Sequence, residues 1–302
     1  MAYVSIGMPV RNGERFIGQA LDSIVAQTFD DFELLISDNA STDKTPEICR
    51  DYATKDSRIR YVRNATDIGA SHNYNHLFAL STGRYFRWAP SDDLFAPTSI
   101  ERCVAVLEGH KDVVLCYPKT TLIDESGCLI EQYEDNLDLR SRNVGDRFRS
   151  AIWNIRKVNA IYGLMRTDVL RRTGLIGNYP GADADLLIEL SLYGRFFEIP
   201  EALFFRRMHA EAYSSIQTIQ GKQSFFDPKT CGRIHLSHWR RSFQRLVSVW
   251  HAPLKIPTQV YLSCILARAA VTARREFVLE LMFGLREMMR RRFSPHGRIG
   301  TM

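Results

Sequence analysis

Short apolar segments alternate with helix-length amphipathic segments through the first 117 residues. The short segments have the length of buried strands, and the longer ones repeat their apolar residues at helical spacing. The predicted strands are Val4–Met8, Phe32–Ser37, Ile59–Val62, Tyr85–Trp88 and Val113–Tyr117. The predicted helices are Arg15–Gln27, Thr45–Lys55, Ser71–Ser81 and Pro97–Gly109. Repeated strand–helix–strand units predict an α/β fold, with a mainly parallel sheet and helices on both faces.

The pattern after residue 117 is less regular. It predicts antiparallel strands over 120–134 around a turn at 124–127, and later strands at Phe196–Pro200 and Leu203–Met208. Helices are predicted over 143–153 and 183–194, and beyond Gly221 over 233–251, 257–272 and 274–292. The sequence therefore predicts two domains, an α/β domain over 1–215 and a helical extension over 216–302.

The charge of the chain is unevenly distributed. The net charge is +6, but residues 221–302 contain 15 Lys and Arg against 4 Asp and Glu, which leaves residues 1–220 mildly acidic. Basic helices with apolar segments, such as Phe277–Leu285 followed by Arg286 and Arg290, are typical of proteins that lie on anionic membranes. Packing on the α/β domain or on a second copy in a homo-oligomer is the alternative. We expect no nucleic-acid partner.

The spacing of the cysteines, the N-terminal residues and the loop after the first strand each argue against particular classes of protein. The six cysteines form no CxxC pair or Cys/His cluster, so neither a zinc site nor a disulfide framework is predicted. The first residues lead directly into a predicted strand without a basic leader or a cleavage site, which predicts a cytoplasmic protein, with the inner face of the cell membrane as a further location. The loop after the first strand lacks the glycine patterns of dinucleotide-binding and P-loop proteins.

Polar loops follow several predicted strands, where ligands bind in parallel α/β sheets. Asp38 follows the second strand and has the chemistry to accept a hydrogen bond from a uracil N–H, although Asp also favours turns. The adjacent Asp92 and Asp93 follow the fourth strand and suit a divalent cation, although helix capping also explains them. Asp183 begins a predicted helix, where it is either a general base or a cap. Arg207 and His209 are candidates for diphosphate or metal contact, or structural residues.

The order of these motifs resembles that of family 2 glycosyltransferases. The motifs are Pro9-x-x-Asn12, Asp38-Asn-Ala-Ser-Thr-Asp43, Gly69-x-x-x-Asn73-x-Asn75, Gly83-Arg-Tyr-Phe86 with Ser91-Asp-Asp93, Gly181-x-Asp183-x-Asp185 and Arg207-x-His209. The similarity covers residues 2–215. It implies the GT-A (Rossmann-like) fold and an enzyme that transfers a sugar, a hexosyl group, from a nucleotide sugar with inversion of the anomeric carbon.

The resemblance also implies a role for each matching residue. Asp93 and His209 are implied as metal-site residues for Mn²⁺ or Mg²⁺, and Asp183 as the catalytic base. The implied nucleotide-sugar-binding residues are Pro9, Arg11, Glu14, Asp38, Asn73, Asn75, Asp92 and Arg207. Pro90 stands where many members have another Asp, and Ala182 where a Glu is usual, which leaves Asp185 as the alternative base.

The implied donor is a UDP- or dTDP-sugar, and the implied acceptor is a glycan or lipid-linked molecule in cell-surface polysaccharide or glycoconjugate synthesis. A sugar nucleotidyltransferase and a non-catalytic nucleotide-sugar-binding protein are the alternatives. A nucleotidyltransferase normally has a first loop rich in glycine and basic residues, and here that loop has only Gly13 and Arg11.

Overall fold

The structure is a computed structural model that describes residues 2–135, 137, 139–216, 218–228 and 236–293. Backbone contacts divide the chain into two compact units, Met1–Cys231 and Gly232–Met302. The sequence places the division after residue 215, whereas the contacts place residues 216–228 with the first unit.

In the described part of the first unit, nine strands form a central sheet. Its strand order is β3-β2-β1-β4-β8-β6-β9-β5, and β7 pairs with β6. The strands are β1 Val4–Val10, β2 Phe32–Asp38, β3 Ile59–Arg63, β4 Tyr85–Trp88, β5 Leu94–Phe95, β6 Val113–Ile123, β7 Leu129–Tyr133, β8 Leu164–Arg166 and β9 Arg195–Arg207.

The half of the sheet from β3 to β4 is parallel, as the sequence predicts. Every residue of β1 is buried, because helices cover both faces of a parallel sheet. These helices are α1 Ile17–Val25, α2 Thr45–Lys55, α3 Ala70–Leu80 and α4 Ser99–Gly109. Val10 pairs with Asp38, and Asp38 with Arg63, so the carboxyl ends of three strands lie level at one edge of the sheet.

The other half of the sheet is mixed. β6 and β9 pair in parallel, β8 pairs antiparallel with β4 and β6, and β5 pairs antiparallel with β9. The prediction of two strands on either side of Pro200 was wrong, because β9 continues through it. The register shifts between Pro118 and Lys119 leave Pro200 unpaired, and a bulge of this kind is where a strand tolerates proline. The very short β5 and β8 were not predicted.

The remaining helices of the first unit follow the mixed half of the sheet. They are α5 Val144–Asn154, α6 Thr167–Leu170, α7 Ala182–Tyr193 and α8 Ile219–Phe226. Asn143 caps α5 by accepting hydrogen bonds from the backbone N–H groups of Gly145 and Asp146. Helix α7 is buried on nearly all sides, which explains its high apolar content.

The described residues of the second unit form three helices, α9 Ser237–His251, α10 Ile256–Thr272 and α11 Arg274–Phe293. Glu280 accepts hydrogen bonds from the His238 N–H, and the rings of Trp239 and Phe277 lie 5.0 Å apart. Among the described residues, no single helix has the length and apolar composition of a membrane span. Ile256–Thr272 and Arg274–Arg286 meet these criteria only as a pair, with a bend of 66° between them.

Candidate active site

A cavity of about 500 Å³ opens beyond the carboxyl ends of β1 and β4. Its wall comes from the loops after these strands, the first half of α3, the end of β9 and the start of α7. The predicted residues that line it are Pro9, Arg11, Asn73, Asp92, Asp93, Asp183, Arg207 and His209. Segments that are distant in sequence therefore bring most of the predicted site together in the first unit.

The carboxylate of Asp93 is buried at the base of this cavity. Its side chain is 5% exposed, and Oδ1 accepts a hydrogen bond of 2.8 Å from the backbone N–H of Arg207. Burial, and then the adjacent charge of Asp92, raise the pKa of Asp93 well above its usual value. The N–H of Arg207 and the charges of Arg206 and Arg207 oppose this shift only in part. A divalent cation would remove the cost of holding Asp93 ionised.

His209 positions Asp92. Its Nε2 lies 2.9 Å from Oδ2 of Asp92, and its ring packs against Phe16 with centroids 4.9 Å apart. Nδ1 of His209 is buried and has no hydrogen-bond partner in the described part of the chain. The contact with Asp92 fixes the orientation of the imidazole ring. The second ring nitrogen, Nδ1, is therefore also held at a fixed position.

Arg207 holds the loop of Asp92 and Asp93 in place through hydrogen bonds. Its Nε donates to the carbonyl oxygen of Asp92, and Nη1 donates to those of Asp124 and Glu125. Nη2 donates to Gln19, and the guanidinium lies 4.7 Å from the ring centre of Phe16. The residue is only 1% exposed. This geometry gives Arg207 a positioning function, and its contact with the donor stays a prediction.

Asp183 stands in the first turn of α7. Gly181 has a φ of +84°, which turns the chain into the helix, and Oδ1 of Asp183 accepts a hydrogen bond from the N–H of Ala184. Asp183 lines the cavity, whereas Asp185 is 5% exposed and lies outside the lining. The cavity is therefore accessible to the first of these two carboxylates.

Asp38 is not one of the residues that line the cavity. Its side chain is fully buried. Oδ1 accepts from the N–H of Ser41, and Oδ2 accepts from the hydroxyl of Tyr61 at 2.7 Å and lies 3.2 Å from Nε of Arg63. In this arrangement Asp38 holds the loop after β2, and its contact with a base stays a prediction.

Asn39 and Asp67 occupy the part of the wall next to Asp38. Asn39 donates to Oδ1 of Asp67 at 2.6 Å, and Oδ2 of Asp67 pairs with Arg11 at 3.0 Å. Asn39 belongs to the motif Asp38-Asn-Ala-Ser-Thr-Asp43 but had no predicted role, and Asp67 was not predicted at all. Nothing in the sequence indicated their contact, because it joins two loops that are 28 residues apart.

The two asparagines of α3 have different surroundings. Asn73 lines the cavity and also exchanges hydrogen bonds with the side chain and carbonyl oxygen of Ser37. Asn75 faces away from the cavity lining and bonds to both backbone groups of Ile176. Glu14 accepts from the N–H of Lys44 and lines a second, shallower depression. Donor contact by Asn75 and Glu14 therefore also stays a prediction.

Aromatic and basic side chains complete the cavity. Tyr74 and Tyr162 lie near the aspartates, and burial, followed by the charge of Asp92, raises the pKa of Tyr74. Arg206, which precedes the predicted Arg207-x-His209 motif, also lines the cavity. Lining residues that sequence reasoning missed include Arg156, Lys157, Tyr213 and Phe225, which belong to no motif, so the sequence offered no signal for them.

Asp135 is a buried carboxylate that contacts Asn159, the residue after the cavity-lining Val158. It is 8% exposed, accepts a hydrogen bond from Nδ2 of Asn159, and burial raises its pKa to about 6. Since its value in the unfolded chain is 3.8, folding favours the protonated form. The stability from this group is complete below that value and is lost as the pH rises through about 6.

Asp135→Asn is expected to remove this pH dependence. Above about pH 6 to 7 the variant should gain up to about 3 kcal/mol of unfolding free energy relative to wild type, and near pH 4 the two should agree. Urea titrations at a series of pH values measure this difference. Glu134→Gln, at an exposed neighbour paired with Lys119, is the control. A constant difference between wild type and Asp135→Asn at all pH values would contradict the assignment.

Comparison with known proteins agrees with this geometry. Residues 5–149 match the family model described as Glycosyl transferase family 2. The matched stretch is just under half of the chain. The resemblance inferred from the sequence motifs is thereby confirmed, and the chain is a glycosyltransferase.

The curated relatives of this glycosyltransferase include proteins of distant organisms. An uncharacterized glycosyltransferase of Haemophilus influenzae is 28% identical over 70% of this chain and 68% of its own length. An uncharacterized glycosyltransferase of Methanocaldococcus jannaschii is 28% identical over 43% of this chain and 46% of its own length. The matched region thus spans less than half of the second relative.

Solved structures share the GT-A fold. The structure of S. aureus TarS 1–349 in complex with UDP-GlcNAc superposes with a TM-score of 0.67 at 15% identity, over 94% of this chain and 81% of that one. The mannosyltransferase PcManGT of Pyrobaculum calidifontis, in complex with GDP-Man and Mn²⁺, gives a TM-score of 0.53 at 14% identity, over 98% and 88% of the two chains. The predicted α/β architecture is therefore confirmed as that of GT-A glycosyltransferases.

Proposed function

We propose that this family 2 glycosyltransferase transfers a hexosyl group from a UDP- or dTDP-sugar to a hydroxyl group, with inversion. The acceptor is a glycan or a lipid-linked molecule of cell-surface polysaccharide or glycoconjugate synthesis. The observation that carries the proposal is the single cavity that brings Asp92 and Asp93 together with Asp183, beside the wall formed by Arg11, Asn39 and Asp67.

The residues at the base of the cavity fit a divalent cation that is held jointly with the donor. Among the described residues, no group of three or more His, Cys, Asp or Glu side chains is arranged to bind a metal alone. Mg²⁺ sites in nucleotide enzymes commonly use one or two carboxylates together with substrate phosphates. Asp93, with Asp92 beside it, supplies such carboxylates, and the buried, unpartnered Nδ1 of His209 is a further polar atom at this place.

Single displacement is the mechanism that these groups support. A divalent cation held by Asp93 together with the donor would supply positive charge to neutralise the leaving diphosphate. Arg207 keeps Asp92 and Asp93 in position through their backbone groups. Asp183 accepts the proton of the attacking acceptor hydroxyl, so that the oxygen attacks the anomeric carbon from the face opposite the diphosphate. No residue needs to form a covalent intermediate.

The choice of donor rests on less direct support. The solved structures that share this fold contain UDP-GlcNAc in TarS and GDP-Man in PcManGT, so the fold itself accommodates more than one base. The preference for uracil or thymine comes from the position of Asp38 in the sequence motif. Its buried contacts with Tyr61 and Arg63 mean that base recognition by Asp38 requires a rearrangement of this loop.

Calorimetry with a panel of UDP-, dTDP- and GDP-sugars, with and without Mn²⁺, tests the proposal. Wild type is expected to bind one donor in a metal-dependent manner, followed by release of the nucleoside diphosphate when an acceptor is present. If no nucleotide sugar bound under any metal condition, the proposed activity would be wrong. Binding without turnover on any acceptor would favour a non-catalytic binding protein.

The second unit supports contact with an anionic membrane surface, as the basic sequence of this region predicts. Large apolar side chains are exposed along α9–α11, including Phe243 at 68%, Leu279 at 64% and Phe283 at 66%. Arg274 and Arg275 begin α11 within the strongly basic C-terminal region. Exposed apolar side chains together with arginines match the boundary between lipid headgroups and acyl chains. A lipid-linked acceptor would be used at the same surface.

Vesicle sedimentation measures this association. The protein is expected to sediment with phosphatidylglycerol vesicles at low salt, less at high salt, and not with phosphatidylcholine vesicles. A Phe243→Ser/Leu279→Ser variant should lose binding at every salt concentration, and Glu201→Gln in the first unit is the control. Absence of sedimentation, together with a dimer in light scattering, would indicate instead that a second copy covers the apolar side chains.

A further inference from the structure

Arg156 and Lys157 differ from the other cations of the cavity lining, because among the described residues neither has an acidic partner, and neither the guanidinium nor the ammonium group has a hydrogen-bond acceptor. Arg156 and Lys157 lie between α5 and the 3₁₀ turn Asn159–Tyr162, and both line the cavity. Neither forms an ion pair in the described part of the chain. By contrast, Arg11 and Arg15 of the same lining are paired with Asp67 and Glu125. The two carboxylates at the bottom of the cavity already have partners within the protein. That of Asp92 contacts His209, and that of Asp93 accepts a hydrogen bond from the N–H of Arg207.

The backbone that presents these two cations is held in an unfavourable conformation. Val158 has φ +52° and ψ +21°, a left-handed conformation that is costly for a β-branched residue. Such conformations persist where the surrounding contacts enforce them, and they are concentrated at functional sites. Here Nη1 of Arg206 donates to the carbonyl oxygen of Lys157 at 2.9 Å and to Oδ1 of Asn159 at 2.7 Å.

The side chain of Lys157 is also fixed in place. Its ammonium group lies 4.3 Å from the centre of the Tyr133 ring, at a distance typical of a cation–π contact. Asn159 is anchored in turn to the buried Asp135. Arg156, the preceding residue, is exposed and also lines the cavity. Two cationic residues that are adjacent in sequence therefore belong to the cavity lining, beside a strained backbone position.

We propose that Arg156 and Lys157 bind a phosphate group of the acceptor. This inference rests on the proposed transfer function. Two adjacent cations match a phosphate monoester, whose charge at pH 7 is about −1.5 to −2, better than they match a single carboxylate charge. The guanidinium group also has the fork geometry that suits phosphate oxygens.

The loop of Arg156 and Lys157 lies outside the stretch of the chain that the family model matches. The family model matches residues 5–149, and this stretch includes Asp92 and Asp93 at the diphosphate end of the proposed donor site. Residues 155–158 lie beyond that match. The match does not extend to this loop, so the assignment of its two cations rests on their place in the cavity.

Phosphate titration of the nucleotide-bound enzyme tests the proposal. Wild type is first saturated with the nucleoside diphosphate of the donor that the panel identifies, in the presence of Mg²⁺. Methyl phosphate and glucuronate are then titrated by calorimetry as the phosphate and carboxylate probes. We expect methyl phosphate to bind more tightly than glucuronate, and Arg156→Gln and Lys157→Gln each to weaken it by about tenfold or more.

The control and the contrary outcomes are distinct. Arg149→Gln changes a cation of α5 that pairs with Asp146 outside the cavity lining, and it should bind methyl phosphate as wild type does. The proposal is overturned if the Arg156→Gln variant binds the nucleotide more weakly than wild type does, because Arg156 would then contact the donor instead of the acceptor. It is also overturned if methyl phosphate does not bind, or if glucuronate binds equally well. If no nucleotide binds, the proposed function fails, and the same titration of the free protein still decides the phosphate site.

Discussion

Asp93→Asn is expected to reduce sugar transfer by more than about a hundredfold, because it replaces a carboxylate ligand of the proposed cation with a neutral amide. The amide keeps an oxygen that can accept from the N–H of Arg207, so the loop should stay in position. Metal-dependent donor binding in calorimetry should be lost together with turnover. Asp22→Asn, which changes an exposed carboxylate that bonds to Tyr52, is the control.

The same substitution should stabilise the metal-free protein at neutral pH. The pKa of Asp93 in the folded protein is raised well above the value of 3.8. Folding therefore favours the protonated form, and the stability from this group is lost as the pH rises from that value through the raised pKa. Asn does not ionise, so the variant should unfold at a higher temperature than wild type at pH 7 without metal. Equal transfer rates in variant and wild type would remove Asp93 from the metal site.

Asp183→Asn is expected to abolish most of the turnover while donor binding stays intact. General-base catalysis contributes about 10²- to 10⁴-fold to a rate, and an amide cannot accept the proton of the acceptor hydroxyl. The fall should appear in kcat, whereas the affinity for the nucleotide sugar, measured by calorimetry with metal, should be unchanged. This pattern differs from that of Asp93→Asn, which loses donor binding as well.

Asp185→Asn provides the matched comparison on the same helix. Asp185 is buried and lies outside the cavity lining, so its substitution should affect stability more than kcat. Circular dichroism and thermal unfolding would separate a folding defect from a catalytic one. If Asp185→Asn lost turnover while remaining folded and Asp183→Asn kept it, the catalytic base would be Asp185.

The positioning function of Arg207 changes how variants of this residue should be understood. Its guanidinium donates to backbone carbonyl oxygens on two separate loops, including that of Asp92. Lys has a single point charge and cannot reproduce this fork, so an exchange of Arg for Lys is not conservative here. A loss of activity in such a variant would report displacement of the aspartate loop, and it would not by itself place Arg207 on the diphosphate.

The sequence by itself determined the class of fold and the main chemical groups. The alternation of apolar and amphipathic segments requires a parallel α/β sheet, and polar residues just after its strands must lie at one edge. Asp92, Asp93, Asp183 and His209 were therefore identified from motif order, and the structure brings all four into one cavity. Local patterns sufficed because each of these positions is set by the strand or helix next to it.

Only the tertiary structure decided what these groups touch. It buries Asp38, whose carboxylate accepts a hydrogen bond from Tyr61, and it directs the guanidinium group of Arg207 to backbone carbonyl oxygens. It places Arg156 and Lys157 in the lining of the cavity. It also joins two predicted strands into β9 through Pro200 and adds the short β5 and β8. These features depend on which side chains and backbone groups from distant segments meet, and such contacts leave no periodic signal in the sequence.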